Sequence, residues 1–243
     1  MPYKKWRGLS QNQLKLLAAI SMTIDHVGFV LFPKVTLFRI IGRLAFPIFA
    51  FGIYEGAKYT RKPLRYLLRM LVLGILFAVV YYLYDGELYG SIFITFSLSI
   101  AILISMRYLK EGPRTPARLA LGTAFFAVSV AVAAVLCHFF TVDYGFFGVL
   151  MPVFAALFDY GTERYFAKES VWRRVFPFVG FAIGAVFLSL DYGGIQYYCL
   201  LSLILLAAAS GERGKWRLKY FFYLYYPIHL LVIEGIALLV SRS

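Results

Sequence analysis

Apolar residues run along this chain in long blocks separated by short hydrophilic gaps. Each block is close to the length that one bilayer crossing requires, about 20 residues of helix. The blocks are Leu14–Phe32, Val35–Ala57, Leu64–Tyr84, Ser91–Met106, Leu119–Phe140, Tyr144–Tyr160, Val175–Leu190, Gly194–Ser210 and Tyr220–Val240. They predict an all-α fold, a polytopic transmembrane helix bundle of about nine spans forming one domain over residues 1–243. No internal repeat or low-complexity tract interrupts the pattern. The first block lacks a small-residue cleavage site after it, so it reads as a retained span.

The gaps alternate in charge. One set holds Lys4, Lys5, Arg7 and Lys15; Lys58, Arg61, Lys62, Arg65 and Arg69; Arg107, Lys110, Arg114 and Arg118; Arg164, Lys168, Arg173 and Arg174; and Arg213, Lys215, Arg217 and Lys219, which is 21 of the 25 basic residues. The other set holds Asp85, Glu87, Asp143 and Asp191, with Lys34 and the C-terminal Arg242 as its cations. Basic residues stay on the cytoplasmic side of a membrane, so the N-terminus is expected in the cytoplasm and the C-terminus outside.

Composition agrees with this reading: 61% of the 243 residues are hydrophobic and 15% are charged. Mean hydropathy is +0.75. The net charge of +13 would otherwise raise nucleic acid as a partner. Confinement of the cations to interspan gaps assigns them to topology instead, and nucleic acid is excluded. Cys137 and Cys199 sit inside apolar blocks and read as packing residues. No metal is expected, because the three histidines lie in separate blocks without close ligand spacing.

Six ionisable residues fall inside the blocks: Asp25, His26, Arg39, Arg43, His229 and Glu234. Each costs roughly 2.5–3.5 kcal/mol at a bilayer centre, so several together imply pairing around a wet or reactive cavity. The alternating direction of the spans brings them to a common level, at or outside the midplane. Arg39 and Arg43 share a face of one continuous helix, whereas consecutive Asp25 and His26 diverge by roughly 100°. Asp25 is therefore expected against an arginine of the second span, and His26 toward a cavity. An Asp25–arginine pair would also serve simply to staple two helices. Pro47 and Pro227 interrupt apolar blocks, where each bends a helix and frees a carbonyl. His138 and tyrosines such as Tyr81, Tyr82 and Tyr84 read as interfacial anchors.

Several stretches, KLLAAISMTIDHVGFVLFP, FRIIGRLAFPIFAFGIYEGAKYTR, SIFITFSLSI, DYGFFGVLMPVF and QYYCLLSLILLAAASGERGKWRLKYFFYLYYPIHLL, resemble in order the blocks of the TraX family of integral membrane proteins. The specific parts are the DH pair, GRLAFPIFAF with its following EG, DYG, and YPIH. That family takes its name from a conjugation protein that acetylates the N-terminus of F pilin, and it is similar to transmembrane acyltransferases that draw acyl groups from cytosolic acyl-CoA. The resemblance implies a multi-pass protein of the bacterial cytoplasmic membrane. It also implies acetyl-CoA as acyl donor and a peptide, glycan or small molecule as acceptor, with lipids around it.

On that footing His26 and His229 are candidate general bases, and Asp25 orients a partner. Arg39, Arg43, Glu55, Asp143 and Tyr144 are expected to bind substrate or the oxyanion, and Lys58, Arg61 and Arg65 the donor phosphates. The competing class is a proton-coupled transporter or flippase using the same polar cluster. Such carriers often have repeated halves with broken helices, which this sequence lacks, and that favours the acyltransferase.

Overall fold

In a computed structural model, the structure describes residues 8–167, 170–212, 214 and 219–242. Seven cations used above to assign sidedness, Lys4, Lys5, Arg7, Lys168, Arg213, Lys215 and Arg217, lie outside the described residues. The architecture is an all-α bundle. The chain divides into two compact units, residues 1–49 with 192–243, and residues 50–191.

The first unit opens with α1, Gln11–Val30. Ser10 caps it: its hydroxyl accepts from the Gln13 backbone, and the Gln13 side chain accepts from the Ser10 backbone at 2.8 Å. This reciprocal pair satisfies amides that the first turn leaves without partners. Leu9 joins the Ala208–Ser210 strand-like stretch by backbone hydrogen bonds of 2.9 and 2.8 Å, tying the start of α1 to the later part of the unit. Then come α2, Thr36–Gly42, and α3, Ala45–Tyr59, whose first residues belong here. A 3₁₀ helix, Gly194–Leu201, runs into α10, Ser202–Ala207, and α11 is Lys219–Arg242. α1 packs on α2 and α11, and α2 packs on the 3₁₀ helix.

The second unit continues α3 and adds α4 (Pro63–Asp85), β1 (Tyr89–Gly90), α5 (Ile92–Lys110), α6 (Pro116–Phe139), β2 (Thr141–Val142), α7 (Gly145–Asp159), α8 (Thr162–Tyr165) and α9 (Trp172–Tyr192). α5 is its centre, packed by α4, α6 and α7. Phe93, Phe96, Ile100, Ile102 and Leu103 are buried, as are Thr95, Ser97, Ser99 and Ser105. Those hydroxyls bond to carbonyls; Ser99 reaches both Thr95 at 3.0 Å and Val149 of α7 at 2.8 Å. Small hydroxylated residues let helices approach where apolar burial alone gives no preference over lipid. Gly180 of α9 has the same use, since a Cβ there would lie 2.4 Å from the Phe154 carbonyl oxygen. The two short strands pair in parallel, Tyr89 with Thr141 and Gly90 with Val142. α4 exposes Leu64, Leu68, Val72, Ile75 and Leu76, as lipid-facing helices do.

The structure corrects the pattern in three places. The block Val35–Ala57 is not one helix: α2 ends at Gly42 and α3 starts at Ala45, with Arg43 and Leu44 in a turn. Pro47 has no N–H to offer the Arg43 carbonyl four residues back, and the ladder opens at that point. Tyr144–Tyr160 becomes a 15-residue helix, below the usual crossing length. Gly194–Ser210 becomes an eight-residue 3₁₀ helix followed by a six-residue α-helix. Where the pattern predicts nine crossings, five helices among the described residues are long and apolar enough to cross a membrane, counting Thr36–Tyr59 through its break.

Candidate functional site

Asp25 lies on α1, facing α2. Its relative exposure is 9%, and Gly42 sits against it so closely that a Cβ there would fall 2.1–2.3 Å from Asp25 side-chain atoms. Arg39 donates from Nη1 to Oδ2 at 2.8 Å, and Arg43 donates from Nη2 to both carboxylate oxygens at 2.9 Å. Arg43 also donates from Nε to the Arg39 carbonyl at 3.3 Å and from Nη1 to Oε1 of Gln196 at 3.2 Å. Although Arg43 lies one residue beyond α2, its backbone is still right-handed helical and its N–H bonds to the Arg39 carbonyl at 3.2 Å. The two arginines therefore share one face, as their four-residue spacing predicts, and close together on Asp25. A carboxylate with charge-assisted partners on both oxygens is the form in which a buried charge is tolerated.

His26, one residue on, turns away from the clamp toward α11. Its Nδ1 lies 2.9 Å from the Met22 carbonyl and 3.2 Å from Nε2 of His229. Nδ1 of His229 lies 2.9 Å from the Tyr225 carbonyl. A carbonyl oxygen only accepts, so in the neutral rings both Nδ1 atoms carry hydrogen. His229 Nε2 then accepts from His26, and His26 Nε2 is the ring nitrogen left with a lone pair and no hydrogen-bond partner among the described residues. His229 is 6% exposed. Tyr225 stacks on it at 5.3 Å between ring centroids, and the Tyr225 hydroxyl meets the Thr23 hydroxyl at 2.5 Å. α11 stays helical through Pro227, two residues before His229.

The other expected site residues belong to the second unit. Lys58 forms an ion pair with Asp159 at 2.7 Å and reaches the Tyr54 hydroxyl at 3.3 Å, so its ammonium is engaged by protein groups. Glu55 is half-buried, while Arg61 and Arg65 are exposed. Asp143 accepts from the Tyr89 hydroxyl, and its backbone oxygen accepts from Thr95 at 2.6 Å. Tyr144 takes a left-handed φ of 59° as the residue before α7. The DYG stretch therefore pins the corner where β2, α5 and α7 meet. Glu234, counted among the intramembrane charges, is exposed, as is His138. Among the described residues no group of three or more His, Cys, Asp or Glu side chains is arranged to hold a metal.

Gln196, Thr23 and Tyr225 escape a reading of charges alone. Gln196 did leave a signal. In a 3₁₀ helix residues three apart stack on one face, and Gln196, Cys199 and Ser202 are 2%, 0% and 0% exposed. The spacing Q-x-x-C-x-x-S in an otherwise apolar run marks that buried edge. Tyr225 is four residues before His229, the helical position whose carbonyl and ring fall beneath the imidazole.

Comparison with known proteins adds three findings. The TraX protein family matches residues 10–237. A probable fimbrial assembly protein FimC, serogroup H1, of Dichelobacter nodosus is 26% identical over 251 aligned positions, covering 92% of this chain and 94% of the relative. The uncharacterized protein RP591 of Rickettsia prowazekii (strain Madrid E) is 36% identical over 99 residues, 41% of this chain and 36% of that protein. No solved structure matches the chain.

Proposed function

The chain belongs to the TraX family, and on that premise we propose that it is a membrane-embedded acyltransferase that moves an acetyl group from acetyl-CoA to an amine or hydroxyl, with His26 as general base. The observation carrying this is the orientation of His26. Met22 and His229 both hold its Nδ1, leaving Nε2 as an acceptor on a half-buried stretch of α1. In the reaction the acceptor's nitrogen or oxygen attacks the acyl carbon while its proton passes to His26 Nε2. The new C–N or C–O bond forms, the C–S bond breaks, and the imidazolium returns the proton to the departing thiolate. His229, accepting from Nδ1–H, stabilises the imidazolium that forms and is a positioning residue in this scheme.

The Asp25 clamp fixes α1 against α2, so the imidazole is presented by a rigid element. Arg39 keeps Nε and Nη2 unused in any hydrogen bond among the described residues, with its side chain 26% exposed. Those donors suit an anionic portion of a substrate. The acceptor we favour is a peptide amine on a subunit of a surface fibre. The relative named as a fimbrial assembly protein supports that choice. The basic gaps face the cytoplasm in this proposal, where the nucleotide of the donor resides.

Purified protein in nanodiscs, given radiolabelled acetyl-CoA, is expected to consume the thioester slowly alone and faster with a peptide amine. Indifference to every acyl-CoA would overturn the enzyme and favour a carrier.

A further inference from the structure

The amide nitrogen of Gln196 is buried, bears two hydrogens and has no hydrogen-bond partner among the described residues. Its orientation is settled by its neighbour. Arg43 can only donate, so the amide atom it meets at 3.2 Å is Oε1, and Nε2 must point the other way. The residue cannot be dismissed as surface decoration, because its relative exposure is 2% and it stands on the inward edge of the 3₁₀ helix. Buried amide donors without acceptors are disfavoured, and the few that persist in folded proteins mark places where something else supplies the acceptor.

From this geometry we infer that Gln196 Nε2 is the hydrogen-bond donor for the acyl carbonyl oxygen of the bound thioester, held in place by a relay that runs from Asp25 through Arg43 to Gln196. Asp25 fixes the Arg43 guanidinium through two contacts of 2.9 Å. The guanidinium in turn draws electron density from Oε1, which makes the Nε2 hydrogens stronger donors, as hydrogen bonds in a chain polarise one another. A carbonyl oxygen gains negative charge when its carbon is attacked, so a fixed donor aimed at it holds the transition state more tightly than the ground state. The relay also gives Asp25 a task besides stapling α1 to α2. Its charge is felt at a neutral amide that can approach a thioester without forming an ion pair with it. Arg43 is on this account a positioning residue, and Gln196 the group that touches substrate.

The inference rests on the acyltransferase reading, and two measurements separate the two. Full-length protein in nanodiscs is compared with Gln196→Met, which keeps the side-chain length without a donor. It is also compared with Gln196→Glu, which keeps an acceptor for Arg43 without a donor toward the ligand. The first measurement is the infrared carbonyl band of acetyl-CoA carrying ¹³C at that carbonyl. It is expected to move to lower wavenumber on binding wild-type protein and to stay at its free position with either variant. The second is turnover with a peptide amine. There kcat should fall roughly 100- to 1,000-fold in both variants, with KM for acetyl-CoA unchanged and the thermal midpoint of Gln196→Glu at the wild-type value. A wild-type band that does not move, or one that moves equally in the variants, overturns the inference, and the amide then meets only water. Loss of kcat that tracks a fall in thermal midpoint in both variants also overturns it. A Gln196-dependent band shift without any acyl transfer leaves the subsite standing and removes the acyltransferase. Normal transfer in both variants does the reverse.

Discussion

At the scale of single residues, two neighbours on α1 carry separable duties, and substitution should separate them. His26→Ala is expected to abolish acetyl transfer in a nanodisc assay while the thermal midpoint stays near the wild-type value, because only one weak ring contact to α11 is lost. His229→Ala should keep a measurable fraction of the rate, since it removes the partner of Nδ1 and leaves Nε2 in place. The reversed result, a dead His229→Ala beside a nearly normal His26→Ala, would move the base to α11. Asp25→Ala is expected to behave differently again. It leaves two guanidinium groups beside an empty space, and breaking a buried pair in this way costs about 3–5 kcal/mol. Poor yield and a lowered unfolding temperature in detergent are the expected signs, and a fully stable Asp25→Ala would contradict the clamp.

At the scale of elements, the close approach of α2 to α1 at Gly42 decides whether the clamp can close. Gly42 has no side chain because Asp25 occupies that volume; a Cβ would sit 2.1–2.3 Å from its carboxylate and Cβ. The atoms it would strike belong to a side chain held by two arginines, which gives it little room to yield. Gly42→Ala should therefore destabilise by roughly 1–3 kcal/mol and lower acyl transfer as well, read by thermal unfolding and turnover on the same preparation. Pro47→Ala is the complementary case. It restores an N–H opposite the Arg43 carbonyl and favours a continuous helix, in which Arg43 keeps its place one turn beyond Arg39; the clamp should hold, with thermal midpoint and turnover near the wild-type values. An active Gly42→Ala protein of wild-type stability would show that α1 and α2 are not in this register.

At the scale of the whole molecule, the distribution of cations predicts sidedness. In a background with Cys137 and Cys199 replaced by alanine, Lys34→Cys should react with an impermeant maleimide added to intact cells. Lys62→Cys should react only after the membrane is opened. Both positions are exposed, so differential labelling reports the side of the membrane. The opposite pattern would invert the chain and place the acetyl-CoA phosphates away from Lys58, Arg61 and Arg65.

The sequence by itself determined the class of the molecule and the identity of its unusual residues. A bilayer demands long apolar helices and keeps cations on one side, so both are written as runs and gaps that can be read without coordinates. An aspartate and two arginines inside such runs are costly enough that their pairing is also legible. The same logic found His26 and His229 and put His26 first, toward a cavity, with His229 as its rival. It could not show how the two rings meet, which is a 3.2 Å contact between side chains 203 residues apart, with each Nδ1 against a carbonyl. Tertiary structure alone assigned Lys58 to Asp159, since an ion pair between α3 and α7 has no local signature. It alone opened the second block at Arg43, because a proline's effect on a carbonyl four residues earlier competes with packing that only the folded unit supplies. And it alone set the stretch from Gly194 to Leu201 in a threefold rather than a 3.6-fold winding, with Gln196 buried and its amide nitrogen without a partner among the described residues.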